Sequence, residues 1–92
     1  MIDGNASPYR VVAPMTYTTS ADLFALGRNL IAPGEEVVFD LTAVPAADSS
    51  ALSVLLGWQR AAGEGRLRLI NPPASIYSLA ELYGITELLK LN

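Results

Sequence analysis

The chain has 92 residues, 51% of them apolar and 16% charged, with a net charge of −3, no histidine and no cysteine. That length holds one core and no more, and the missing His and Cys take away the commonest general base, the thiolate nucleophile and the usual transition-metal ligands. Six scattered Lys and Arg form no basic stripe for nucleic acid, and no apolar run is long enough to span a bilayer.

The first eight residues are polar and read as a loose lead-in to a single domain spanning 1–92. Tyr9–Val12 is a short β-prone run that Ala13-Pro14 closes. A first helix is expected from Ser20, which can cap it, with Asp22 in the positive first turn. Leu23, Leu26 and Leu30 form its core-facing stripe, and Pro33-Gly34 stops it. The apolar centre of Glu36-Val37-Val38-Phe39-Asp40-Leu41 predicts a central strand buried on both faces of a helix-covered sheet.

Beyond a loop over 42–47, Asp48, Ser49 and Ser50 offer cap-forming oxygens to a second helix that runs to about Ala62 and ends at Gly63-Glu64-Gly65. Asp48 is the candidate helix cap. The period-two pattern of Arg66-Leu67-Arg68-Leu69 predicts a strand with its leucines on the core and its arginines at solvent or an edge. Asn71-Pro72-Pro73 opens a third helix whose stripe is Ile76, Leu79, Ala80 and Tyr83, ending at Gly84. Residues 85–91 are expected to add a short packed helix. The order β-α-β-α-β-α specifies an α/β fold, with no internal repeat.

On the second helix, Ala51, Leu52, Leu55, Leu56, Trp58 and Ala62 cover the arc that must face the sheet. The other arc carries Ser49, Ser53, Gly57 and Arg60 in one row with Ser50 beside it, a flat surface of small side chains with one cation at its end. Solvent faces usually carry Glu, Lys and Gln, and glycine inside a helix costs about 1 kcal/mol relative to alanine. The row is therefore a candidate docking surface for a partner, set against the plainer reading of an ordinary solvent face. Trp58, Tyr77 and Tyr83 are assigned to core or rim packing. No carboxylate pair, metal loop or Gly-rich phosphate motif occurs, so neither cofactor nor metal is implied.

Two blocks carry a family resemblance. Asp40-Leu41-Thr42, followed by Asp48-Ser49-Ser50-Ala51-Leu52, is similar to the STAS signature of a strand ending Asp-Leu-Ser/Thr and a helix opening Asp-Ser/Thr-x-Gly-Leu. Ile76-Tyr77-Ser78-Leu79-Ala80-Glu81-Leu82-Tyr83-Gly84-Ile85 resembles the corresponding helix of MlaB-type STAS proteins. The resemblance covers Ser20 to the C-terminus and implies a small mixed sheet covered by helices. It also implies a cytoplasmic, non-catalytic subunit, without membrane insertion of its own, that binds the ATPase of an Mla-type ABC transporter moving phospholipids. Ser49 falls on the position that contacts the partner in MlaB-type proteins and is phosphorylated in anti-sigma-factor antagonists. The alternative role, an antagonist released from its kinase partner by phosphorylation at Ser49, follows from that second group. Two departures stand out: Ala51 replaces the usual glycine, and Met15-Thr16-Tyr17-Thr18-Thr19 lacks the acidic residue that would neighbour a switch serine.

Overall fold

A computed structural model describes residues 1–91. Its elements are β1 (Ile2–Asp3), β2 (Tyr9–Val11), α1 (Ser20–Leu30), β3 (Val37–Asp40), α2 (Ser50–Ala62), β4 (Leu67–Ile70) and α3 (Ala74–Leu82). The sheet order is β1-β2-β3-β4, with β1 antiparallel to β2 and the other neighbours parallel. This is the small mixed α/β sheet expected, with the α1 and α2 crossovers that parallel strands require.

The lead-in expected to be loose supplies β1, since Ile2 and Asp3 pair with Val11 and Arg10. β3 is central, but its burial alternates: Val37 and Phe39 are buried while Val38 and Asp40 are only partly so. One face of the strand therefore meets the core, and the expectation of burial on both faces fails. β4 is an edge strand that buries Leu67 and Leu69 and exposes Arg68, as its alternation predicts.

The core runs outward from Phe39. Its ring lies 5.8 Å from Tyr9, its register partner on β2, and stacks on Trp58 of α2 at 4.3 Å and 19°. The Trp58 indole N–H donates to the Phe24 carbonyl of α1 at 3.1 Å, which satisfies the one polar atom of a fully buried ring. The helix pair fits closely because each helix offers a glycine to the other's aromatic ring. A Cβ on Gly27 would lie 2.2 Å from Trp58, and one on Gly57 would lie 2.4 Å from Phe24.

Three sequence expectations shift here. Leu26 is 44% exposed, and the buried positions of α1 are Leu23 and Gly27, because the helix turns its glycine toward Trp58. Ser20 does not cap α1; Thr19 precedes the helix without a side-chain cap bond, and the Ser20 hydroxyl donates back to the Tyr17 carbonyl at 3.1 Å. Residues 85–91 form turns instead of a helix, although Leu89 and Leu91 are buried and the Leu89 amide reaches the Ile85 carbonyl at 3.1 Å. Gly84, at φ 69°, breaks α3, and the Ile85 amide closes on the Ala80 carbonyl at 2.9 Å in a glycine-terminated helix end.

Candidate functional site

The site is assembled where the segment before α1 meets the start of α2. Met15 is fully buried and bridges to Ala47 in parallel fashion, its amide donating to the Ala46 carbonyl at 2.9 Å and its carbonyl accepting from the Asp48 amide at 3.1 Å. The Asp48 carboxylate then joins the two segments. One oxygen accepts the Ser50 amide at 2.8 Å and the other accepts the Tyr17 amide at 3.0 Å. The bond to the Ser50 amide spans two positions, the reach of a helix cap, and Asp48 makes it from the residue before Ser49, the residue that precedes α2. The Tyr17 and Ser50 amides favour the ionised form and hold its pKa below the ordinary value of 3.8. The segment 15–19, which has no acidic residue of its own, thus presents a backbone amide to the acid of the other segment.

Ser49 is thereby released. It is exposed, and its hydroxyl makes no cap bond, although its carbonyl accepts the Leu52 amide at 3.1 Å. Asp40, at the end of β3, has a separate structural duty: it accepts the Thr42 hydroxyl at 2.5 Å and the Thr42 amide at 2.9 Å, and those bonds hold its pKa below the ordinary range.

The row of small residues divides. Ser49 and Ser53 face solvent along one side of an open hollow of about 420 Å³, with Leu52 and Leu56 beneath and Tyr83 and Ile85 on the far side. Ser50, half-buried, gives its amide to Asp48 and stands beside the row. Gly57 is occupied from within, since the Phe24 ring fills the space over it. The expectation that a partner helix needs Gly57 for close approach is replaced by an internal cause: α1 is the helix that approaches. Arg60 is exposed and shares a second hollow with Phe24 and Arg28.

Two residues assigned to the core belong to the surface of the site. Tyr83 is 57% exposed although it keeps a helical backbone and its amide still donates to the Leu79 carbonyl at 3.1 Å. Leu56 is only partly buried and lies in the hollow with Ser49 and Ser53. The sequence held the signal for Leu56, since residues 49, 53, 56 and 60 fall on one helical row as well as 49, 53, 57 and 60 do. Among the described residues, no group of three or more Asp and Glu is gathered as a metal site.

A family model described as "Mlab, STAS domain" matches residues 3–90. No curated protein matches the chain.

Proposed function

The chain belongs to the STAS domains of the MlaB type, and from that membership we propose that it is the non-catalytic cytoplasmic subunit that binds the ATPase of an Mla-type ABC transporter. Its task there is to stabilise or regulate the ATPase while the transporter moves phospholipids to maintain outer-membrane lipid asymmetry. The observation that carries the reading is the Ser49 hydroxyl, exposed and unused by the fold, at the lip of an apolar hollow walled by Tyr83 and Ile85. A hydroxyl beside an open apolar floor is equipped to dock a protein surface, with the leucines supplying burial and Ser49 and Ser53 supplying hydrogen bonds. A chain without His or Cys brings no obvious chemistry of its own to that contact.

The test is co-purification with the purified ATPase subunit. The wild-type chain should be retained, and Ser53→Glu should lose retention while keeping its thermal midpoint, because Ser53 is exposed and glutamate is a good helix former. Undiminished retention of Ser53→Glu would remove the hollow as the docking surface. Capture of a serine kinase with phosphate appearing on Ser49 would favour the anti-sigma-factor antagonist, for which the exposed serine at a positive helix end is the supporting feature.

A further inference from the structure

The two edges of the sheet are unlike. β1 is two residues long and ends in Asp3, whereas β4 is a four-residue strand whose outer side pairs with no other strand among the described residues. The ladder to β3 sets which of its peptide groups point outward. The Val37 and Leu41 amides donate to the Arg66 and Ile70 carbonyls, both at 2.9 Å, so the even-numbered positions face β3. Successive residues of a strand turn their N–H and C=O to opposite edges, which leaves those of Leu67 and Leu69 pointing out along the free edge while both side chains stay buried. A hollow of about 440 Å³ lies along this edge, lined by Leu67, Leu69, Asn71 and Pro72 together with Arg68 and Lys90.

A charge on a bare edge ordinarily discourages pairing, and Arg68 alone needs no other reason. The edge gathers more than one, however. Arg66 just before the strand, Arg68 within it and Lys90 across the hollow are all exposed, in a chain with six cations and a net charge of −3. Glu64 and Glu87 lie with Lys90 in the adjoining hollow, which Arg68 does not line.

Outward N–H and C=O groups at strand spacing are matched by an extended backbone, which adds to the sheet as a further strand. A second copy fits poorly. Antiparallel self-pairing through these groups can set Leu67 opposite Leu67, Leu67 opposite Leu69, or Leu69 opposite Leu69. The first register places Arg66 against Arg68 and the second places Arg68 against Arg68, like charges that destabilise a cross-strand pair. The third runs Leu67 onto Asn71, which at φ 54° has already left the strand. We propose that the free edge of β4 takes up an acidic, extended segment of another protein as a fifth strand, with its main chain bonded to Leu67 and Leu69 and its carboxylates beside Arg68 and Lys90. The edge shares no residue with the Tyr83 hollow, so the inference stands apart from the proposed function.

The experiment titrates an end-blocked hexapeptide of alternating glutamate and valine into the full chain, followed by amide NMR, with the lysine and valine peptide as control. In the free chain the Arg68 and Ile70 amides, which face β3, should be protected from exchange, and the Leu67 and Leu69 amides should not. The glutamate peptide should shift the Leu67 and Leu69 signals and slow their exchange. Arg68→Glu, at an exposed position, should keep the fold, weaken the glutamate peptide about fivefold and come to prefer the lysine peptide. A glutamate peptide that leaves Leu67 and Leu69 unmoved, or that binds Arg68→Glu as well as wild type, overturns the inference. So does a lysine peptide that binds the wild-type chain equally well. Protection of Leu67 and Leu69 before any peptide is added, with a dimer in sedimentation, would assign the edge to a second copy and likewise overturn it.

Discussion

Replacing Gly27 by alanine should destabilise the domain far more than replacing Gly57, although both are helical glycines facing an aromatic ring. Alanine gains about 1 kcal/mol of helix propensity at either site. At Gly27 the added methyl would lie 2.2 to 2.4 Å from Cε2, Cζ2 and Nε1 of Trp58, a fully buried ring stacked on Phe39. The ring has nowhere to go. Moving it costs about 1–3 kcal/mol of overpacking strain, about 1 kcal/mol for the bond to the Phe24 carbonyl and about 1 kcal/mol of the stacked pair. The net loss is about 2–4 kcal/mol, a fall of roughly 10–25 °C in thermal midpoint for a domain of this size. At Gly57 the clash is with Cε1 of Phe24 at 2.4 Å, the far side of a half-exposed ring that can swing toward solvent, so Gly57→Ala should stay within about 1 kcal/mol of wild type. Thermal and urea unfolding of the two variants decides the matter. Equal losses, or a Gly27→Ala protein as stable as wild type, would refute the packing argument.

Leu55→Ala should cost about 2–5 kcal/mol in urea unfolding because its side chain is fully buried, whereas the partly buried Leu56→Ala should cost about 1 kcal/mol and weaken ATPase retention instead; equal losses of stability would refute this placement of α2. Ser49→Ala should change stability by no more than about 0.5 kcal/mol, the scale of an ordinary surface substitution, yet reduce partner affinity; a larger loss in thermal unfolding would return capping to the serine. Since the Asp48 pKa is lowered by the Tyr17 and Ser50 amides, its contribution is full above the ordinary value of 3.8 and is lost as pH falls through the lowered folded value. Asp48→Asn should therefore flatten the acid limb of a stability profile taken from about pH 6 to about pH 2, and an unchanged limb would show that the carboxylate is not held by those amides.

Local signals located most of this fold. The cap-forming trio before α2, the glycines after α2 and α3 and the alternation of β4 each reside in a few neighbouring residues, and each placed its element to within a residue or two. Contacts decided by distant partners were not legible. Helical periodicity says which arc of α2 turns inward, but it cannot say that Phe24, 33 positions earlier, lies against Gly57. The same limit explains Leu26, displaced outward by the docking of Gly27 on Trp58, and the pairing of Ile2–Asp3, which exists only because Val11 returns beside it. Tyr83 follows the stripe of α3 by spacing and keeps a helical backbone, yet it is exposed, because spacing does not say how far along the helix the core extends.

The start of α2 and its middle follow one logic. A helix start leaves amides without partners, and a serine placed there is ordinarily claimed by them. Here Asp48 takes that duty one residue earlier and uses its second oxygen to hold the Tyr17 segment, so the Ser49 hydroxyl can serve another molecule without cost to the helix. In the middle of α2, Gly57 admits Phe24 and thereby draws α1 alongside, which is what creates a hollow with Arg28 on one bank and Arg60 on the other. Small residues in one helical row thus act in opposite directions: the serines remain open to a partner, while the glycine is spent on the internal contact that shapes the surface beside them.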